Sequence, residues 1–262
     1  TMTRLQPYLL IFVLLSFPIM AATRYVDIPG GSFRSALTQD GNARETVTVA
    51  PFRMRTKLVS NAEFLAFVRR APSWQRDRIA TVYANRDYLS YWAAPLTLGA
   101  GVNPRQPVTW VSWFAARAYC ASEGARLPRW TEWEYAASAD AKQRDARDDH
   151  AWLARILAHL TTRSDGNDDM RDELDIYGLH DMHQLIGEWV DDYATLFFEA
   201  DARNPGSSNL LSLCGGAAAA FVDRTDYALM MRVATLTALT PSDGSGTVGF
   251  RCVKDVPGKE SI

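Results

Sequence analysis

Histidine and cysteine are scarce in this chain, four and three among 262 residues. Three cysteines cannot build a disulfide scaffold, but they allow one bridge and one odd thiol. A basic excess is also missing: 28 Lys and Arg stand against 30 Asp and Glu, for a net charge of -2. That balance removes the electrostatic footprint of a nucleic-acid binder. The sequence holds no glycine-rich phosphate loop, no nucleophile elbow and no Ser-His-Asp order, which excludes the commonest phosphoryl- and acyl-transfer sites. It also lacks an internal repeat and a linker that would divide it. What remains is ordinary globular composition, with 47% hydrophobic and 22% charged residues. Eight tryptophans stand out, because Trp is costly to place unless large surfaces bury it.

The longest apolar run lies near the start. Arg4 precedes Tyr8 to Leu15, followed by Pro18 and the small residues Ala21 and Ala22. The stretch is short of the ~20 residues that span a bilayer, and it has the shape of a secretory signal peptide. Residues 1–22 are therefore expected to be a leader cleaved after Ala21 or Ala22, with residues 23–262 forming one domain; a retained membrane anchor or a buried core helix is the alternative for the apolar stretch. No cysteine near that point suggests a lipid anchor. Export would put the chain in a periplasmic or extracellular space, where a disulfide persists.

Along the rest of the chain the signals are short. A strand from Tyr25 to Phe33 closes on Pro29-Gly30-Gly31, and Thr46 to Val49 reads as a second. Ser60 or Asn61 caps an amphipathic helix through Phe64, Leu65, Phe67 and Val68. Residues 71–103 show no clean period. Ser112 opens a helix that Gly124 ends, and Thr131 to Ala137 reads as another. Residues 140–160 are charged and then apolar at Trp152, Leu153, Ile156 and Leu157, a helical pattern. An acidic loop follows at Asp165, Asn167, Asp168 and Asp169, and the C-terminal third suggests short β-type runs.

Taken in order, several segments resemble the formylglycine-generating enzyme family, the sulfatase-modifying-factor domain. They are Ile28-Pro29-Gly30-Gly31-Ser32-Phe33; Val59-Ser60-Asn61 with Phe64 and Phe67; and Pro107-Val108-Thr109-Trp110-Val111-Ser112-Trp113 through Ala118-Tyr119-Cys120 to Arg126-Leu127-Pro128. Glu132-Trp133-Glu134-Tyr135, Gly178-Leu179-His180-Asp181-Met182 with Glu188-Trp189, and Gly249-Phe250-Arg251-Cys252 complete the set. The resemblance implies an α+β fold related to C-type lectins, low in regular secondary structure. It also implies a disulfide between Cys120 and Cys252, which leaves Cys214 as the odd thiol.

Active members of the family oxidise a substrate cysteine to formylglycine with two cysteines that bind copper, since soft thiolates select Cu(I). In this register the two positions fall on Ala220 and Thr225, and Cys214 stands where the family has Arg. The expectation is a pseudoenzyme with no catalytic residues and no cofactor. Calcium stays open as a ligand, but the family's Gly-Asn pair reads Gln184-Leu185 here, and Leu185 offers no side-chain oxygen. His180 and His183 would need further ligands in space to hold a metal. Glu132 and Glu134 read as buttresses of Arg126 rather than an acid–base pair.

Function then points to recognition of a protein partner through the divergent segments 74–92 and 140–175. The candidate contact residues are Trp74, Trp92, Arg129, Trp130, Trp152, Asp165, Asp168 and Asp169, Trp and Arg being the types that anchor interfaces. For Arg129-Trp130, which replaces a Thr-Glu of the family, a repacked core edge is an equal reading. A concrete form is an immunity protein that neutralises a toxin delivered by type VI secretion. The alternative is a periplasmic enzyme of altered oxidative chemistry that matures a secreted metabolite or a redox enzyme.

Overall fold

A computed structural model describes residues 25–36, 46–161, 174–183, 186–194 and 227–257. The expected leader, the acidic loop with Asp165, Asp168 and Asp169, the pair Gln184-Leu185, and Cys214, Ala220 and Thr225 lie outside the described residues.

The N-terminal strand expected over Tyr25 to Phe33 is two strands, β1 (Tyr25–Ile28) and β2 (Gly31–Arg34). Gly30 divides them at φ 68°, with Val49 O only 2.3 Å from where a Cβ would sit, so no other residue fits this turn. β2 pairs antiparallel with β3 (Thr46–Val49), and β1 pairs antiparallel with β4 (Phe52–Arg55). β4 is the centre of a three-stranded sheet whose other edge is β7 (Val253–Asp255). Along β4, Phe52 and Met54 alternate into the core while Arg53 reaches solvent and pairs with Asp27. Arg55 breaks that alternation. It is buried because Glu63 and Glu123 neutralise it at 2.6 and 3.0 Å.

Helix α1 (Asn61–Arg70) starts in a capping box, with Ser60 Oγ accepting from Glu63 N–H and Glu63 Oε2 accepting from Ser60 N–H. α2 (Trp113–Ser122) is capped by Ser112 and stops before Gly124, which sits at φ 63°. α3 (Trp130–Ala137) is short and buried along almost its whole length, and Glu132 Oε2 accepts the Arg129 N–H ahead of it. α4 (His150–Thr161) begins later than the charged pattern implies, because Asp140 instead ties a turn by accepting from the Lys142 and Gln143 N–H groups. The C-terminal third holds a helix that the sequence reading missed, α5 (Tyr227–Thr237), which buries Leu229, Val233 and Leu236 at helical spacing. β5 (Gly187–Glu188) and β6 (Val248–Gly249) make a minimal parallel pair.

One large cluster joins these pieces. Phe64 packs on Phe67, Tyr119 and Phe250 with ring centroids 5.4 to 6.0 Å apart. Cys120 of α2 and Cys252 are bonded, as the resemblance implied. Beside them Arg251, with no exposed side chain, donates to Glu188 through Nε at 2.7 Å and Nη2 at 2.9 Å. The architecture is α+β with modest regular structure, and loops supply much of the buried surface.

Candidate functional site

Residues 71–92 carry no sequence period, yet they are held firmly. A single 3-10 turn (Pro72–Trp74) follows α1. Gln75 Nε2 then donates back to Val68 O at 3.1 Å, and Tyr88 Oη donates to Trp74 O at 3.0 Å. The Arg76 guanidinium staples the far end of the loop, donating to Leu89 O at 3.0 Å and Trp92 O at 2.9 Å. Backbone groups that lack a ladder are thus satisfied by side chains.

This loop meets two others. Leu89 and Trp110 both adopt left-handed backbone, at φ 49° and 53°, and Leu89 N–H donates to Trp110 O at 2.9 Å. Such residues cost of order 1–3 kcal/mol each and persist only where their surroundings fix them. Here the fixing partner is residues 240–247. Ser245 O accepts from Trp110 N–H, Ser242 O from Asn85 N–H and Pro241 O from Trp113 N–H. Gly244 lies so near Trp110 that a Cβ would come within 2.7 Å of its carbonyl carbon.

On the outside of this junction lies a row of aromatic rings. Trp74 packs on Tyr83 at 5.8 Å, Tyr83 on Phe114 at 5.4 Å and Phe114 on Trp113 at 5.3 Å. The Arg117 guanidinium covers Trp113 at 5.2 Å, one helical turn on. Tyr83 is 45% exposed and neighbouring Val82 66% exposed. Trp74, Trp113 and Phe114 are half-buried.

A second feature is a cavity of about 550 Å³ between α4 and residues 174–183, lined among others by Trp152, Ile156, Asp175, Asp181 and His183. Two of its polar residues brace the fold. Asp175 Oδ1 accepts from the Tyr177 and Leu179 N–H groups at 2.8 Å each, making a turn. His183 Nε2 bonds Ala137 O at 2.5 Å, so that nitrogen carries the proton. Burial, with Arg232 adding to it, lowers the His183 pKa to about 3 and keeps the ring neutral. Among the described residues no group of three His, Cys, Asp or Glu side chains is placed to hold a metal ion.

The expected contact residues divide. Trp74 belongs to the exposed row, and Arg129 is exposed at the start of α3. Trp92 and Trp152 are corrections: they are 2% and 7% exposed and offer no surface to a partner, while Trp130, 3% exposed, takes the core-edge place that was the equal reading. Trp92 packs on Phe64, and Trp130 packs on Trp133 while its Nε1 donates to Glu134 Oε2 at 3.0 Å. Trp152 packs edge-on to His183 in a small separate cluster with Ala146 and Ile156. Glu132 does buttress Arg126, through two bonds of 2.7 Å. Glu134 does not: it binds Ser35 Oγ at 2.6 Å and Arg147 Nη1 at 3.4 Å. Sequence reasoning missed Tyr83, Phe114 and Arg117. The pair Trp113 and Arg117, spaced i and i+4 at a helix start, was the one readable signal.

The sulfatase-modifying factor enzyme 1-like domain profile matches residues 16–256, beginning inside the stretch expected to be a leader. The chain is 27% identical to the formylglycine-generating enzyme of Thermomonospora curvata over 296 residues, covering 91% of this chain and 95% of that protein. It is also 27% identical over 306 residues to the inactive C-alpha-formylglycine-generating enzyme 2 of Mus musculus, covering 96% and 94%. Among solved structures, PvdO from Pseudomonas aeruginosa matches with 18% identity and a TM-score of 0.45, covering 88% of this chain and 94% of that one.

Proposed function

The chain belongs to the sulfatase-modifying factor enzyme 1-like domain family, and from that premise we propose that it is a non-catalytic member that binds a protein partner. The thiol count carries this reading. A Cu(I) site of the kind that active members use needs two thiolates. This chain has three cysteines, and Cys120 and Cys252 are bonded to each other, so Cys214 alone remains. One thiol does not fit such a site, and no step through copper follows. The relative from Mus musculus, named inactive, is consistent with a family that includes non-catalytic scaffolds.

The proposal places the protein outside the cytoplasm, on the strength of its leader-like N-terminus and its disulfide. In that space the partner takes the form of a delivered effector, such as a type VI toxin, with this chain as its immunity protein. The test is affinity capture from the exported fraction of the host, paired with a Cu(I)-loaded oxidation assay on a cysteine-containing peptide. A stoichiometric protein partner and no aldehyde product are expected. Aldehyde formation would overturn the reading.

A further inference from the structure

We propose that the row Trp74–Tyr83–Phe114–Trp113, closed by Arg117, is a docking surface for an acidic polypeptide that presents an apolar side chain between carboxylates. This inference rests on the protein-binding reading above and names the surface and the chemistry of the partner.

The apolar half of the argument is the row itself. Four rings in successive contact, with Tyr83 45% and Val82 66% exposed, form an apolar strip, and Tyr83 is the most exposed aromatic side chain among the described residues. The strip is rigid before any partner arrives. Its backbone is pinned by Arg76, by the Leu89–Trp110 contact and by residues 240–247, so little conformational freedom is lost on binding.

The charged half selects the partner. Residues 69–117 contain seven arginines, two aspartates and no lysine, a net of +5 within a chain of net -2. Arg78 lies four residues after Trp74, and Arg86 three after Tyr83; both are exposed. Neither makes an ion pair among the described residues. Arg117, with a side chain 60% exposed, is 3.8 Å from Asp191, a loose pair. Exposed guanidinium groups carried on the same segment as the exposed rings match carboxylates with directional, two-pronged hydrogen bonds. The exposed Val82 beside Tyr83 gives an aliphatic side chain a seat that a sugar-phosphate backbone does not use, so the observations favour an acidic polypeptide.

The test uses the full chain and two synthetic peptides, one alternating Glu with Leu and Trp, the other with Lys in place of Glu. Binding is followed by fluorescence anisotropy and by the indole N–H signals in ¹⁵N-labelled protein. The Glu peptide is expected to shift the Trp74 and Trp113 indole signals and leave that of buried Trp189 in place, while the Lys peptide shifts none. The double variant Arg78→Glu/Arg86→Glu should lose at least ~10-fold in affinity at unchanged Tm, and Tyr83→Ser should weaken binding with fold intact. Equal binding of both peptides, or binding that survives both variants, overturns the surface. So does preferential binding of oligo-dT or anionic vesicles at the same indoles. A captured partner that binds the Arg78→Glu/Arg86→Glu and Tyr83→Ser variants as well as the parent chain overturns the surface while the protein-binding reading stands. Aldehyde formation on the cysteine peptide overturns that reading instead.

Discussion

Replacing Glu188 by Gln removes one charge from a place that water does not reach. Arg251 and Glu188 both have fully buried side chains, joined by bonds of 2.7 and 2.9 Å. The remaining hydrogen-bond partners of Arg251 are carbonyls, His180 O at 3.0 Å and Arg55 O and Thr56 O at 3.4 Å each, while the Asp175 carboxylate acts on it through space without a hydrogen bond. Glu188→Gln therefore strands a guanidinium in the core, a change that costs about 3–5 kcal/mol. For a domain of this size about 1 kcal/mol corresponds to ~2–4 °C, so the melting temperature should fall by roughly 6–20 °C. Differential scanning calorimetry of the oxidised protein reads this directly. The double variant Glu188→Leu/Arg251→Met removes both charges and should recover much of the loss, because a buried pair contributes little over a packed apolar equivalent. A drop under about 2 °C for Glu188→Gln, or a double variant less stable than the single one, would refute the reasoning.

Two further outcomes follow from the same core. His183 titrates at about 3 in the fold against 6.5 in the open chain, so between those values the unfolded state binds a proton that the folded state refuses. Stability should fall as pH drops below about 6.5, by about 2 kcal/mol at pH 5, with no contribution from this group above pH 6.5; urea midpoints for parent and His183→Asn should show the variant flatter, and equal slopes would sink the assignment. Reduction of the Cys120–Cys252 bridge, which spans 132 residues, should destabilise by roughly 4–5 kcal/mol, and a non-reduced peptide map should link those two residues and not Cys214.

The parts of the fold legible in the sequence were those where chemistry fixes the neighbour. Glu132 was readable as the partner of Arg126, six residues before it, because a carboxylate beside a part-buried guanidinium is its natural counter-charge. Ser60 and Ser112 were readable as caps because a hydroxyl ahead of an apolar period has little other use. The tryptophans were not legible. Trp92, Trp130 and Trp152 lie in stretches that depart from the family pattern, and a divergent position can as well be a repacked core position as an exposed one. Each is instead buried by a partner distant in sequence or a helical turn away: Phe64, Glu134 and His183. Trp113 shows the converse, a residue of the best-matching motif placed at the rim because the first turn of α2 projects there. Tyr83 gave no local signal at all, since its neighbours Trp74 and Phe114 come from separate segments.

The central place of β4 sets the timing of maturation. One edge of that strand is filled by β1, synthesised before it, and the other by β7, synthesised long after it. The second edge of the sheet therefore stays open until Asp255 has been made. Cys120 likewise waits for Cys252, and Cys214 emerges in the interval. Oxidation in order of appearance would join Cys120 to Cys214, so correct maturation depends on oxidation that waits for Cys252 or on thiol exchange that reshuffles the first bridge afterwards.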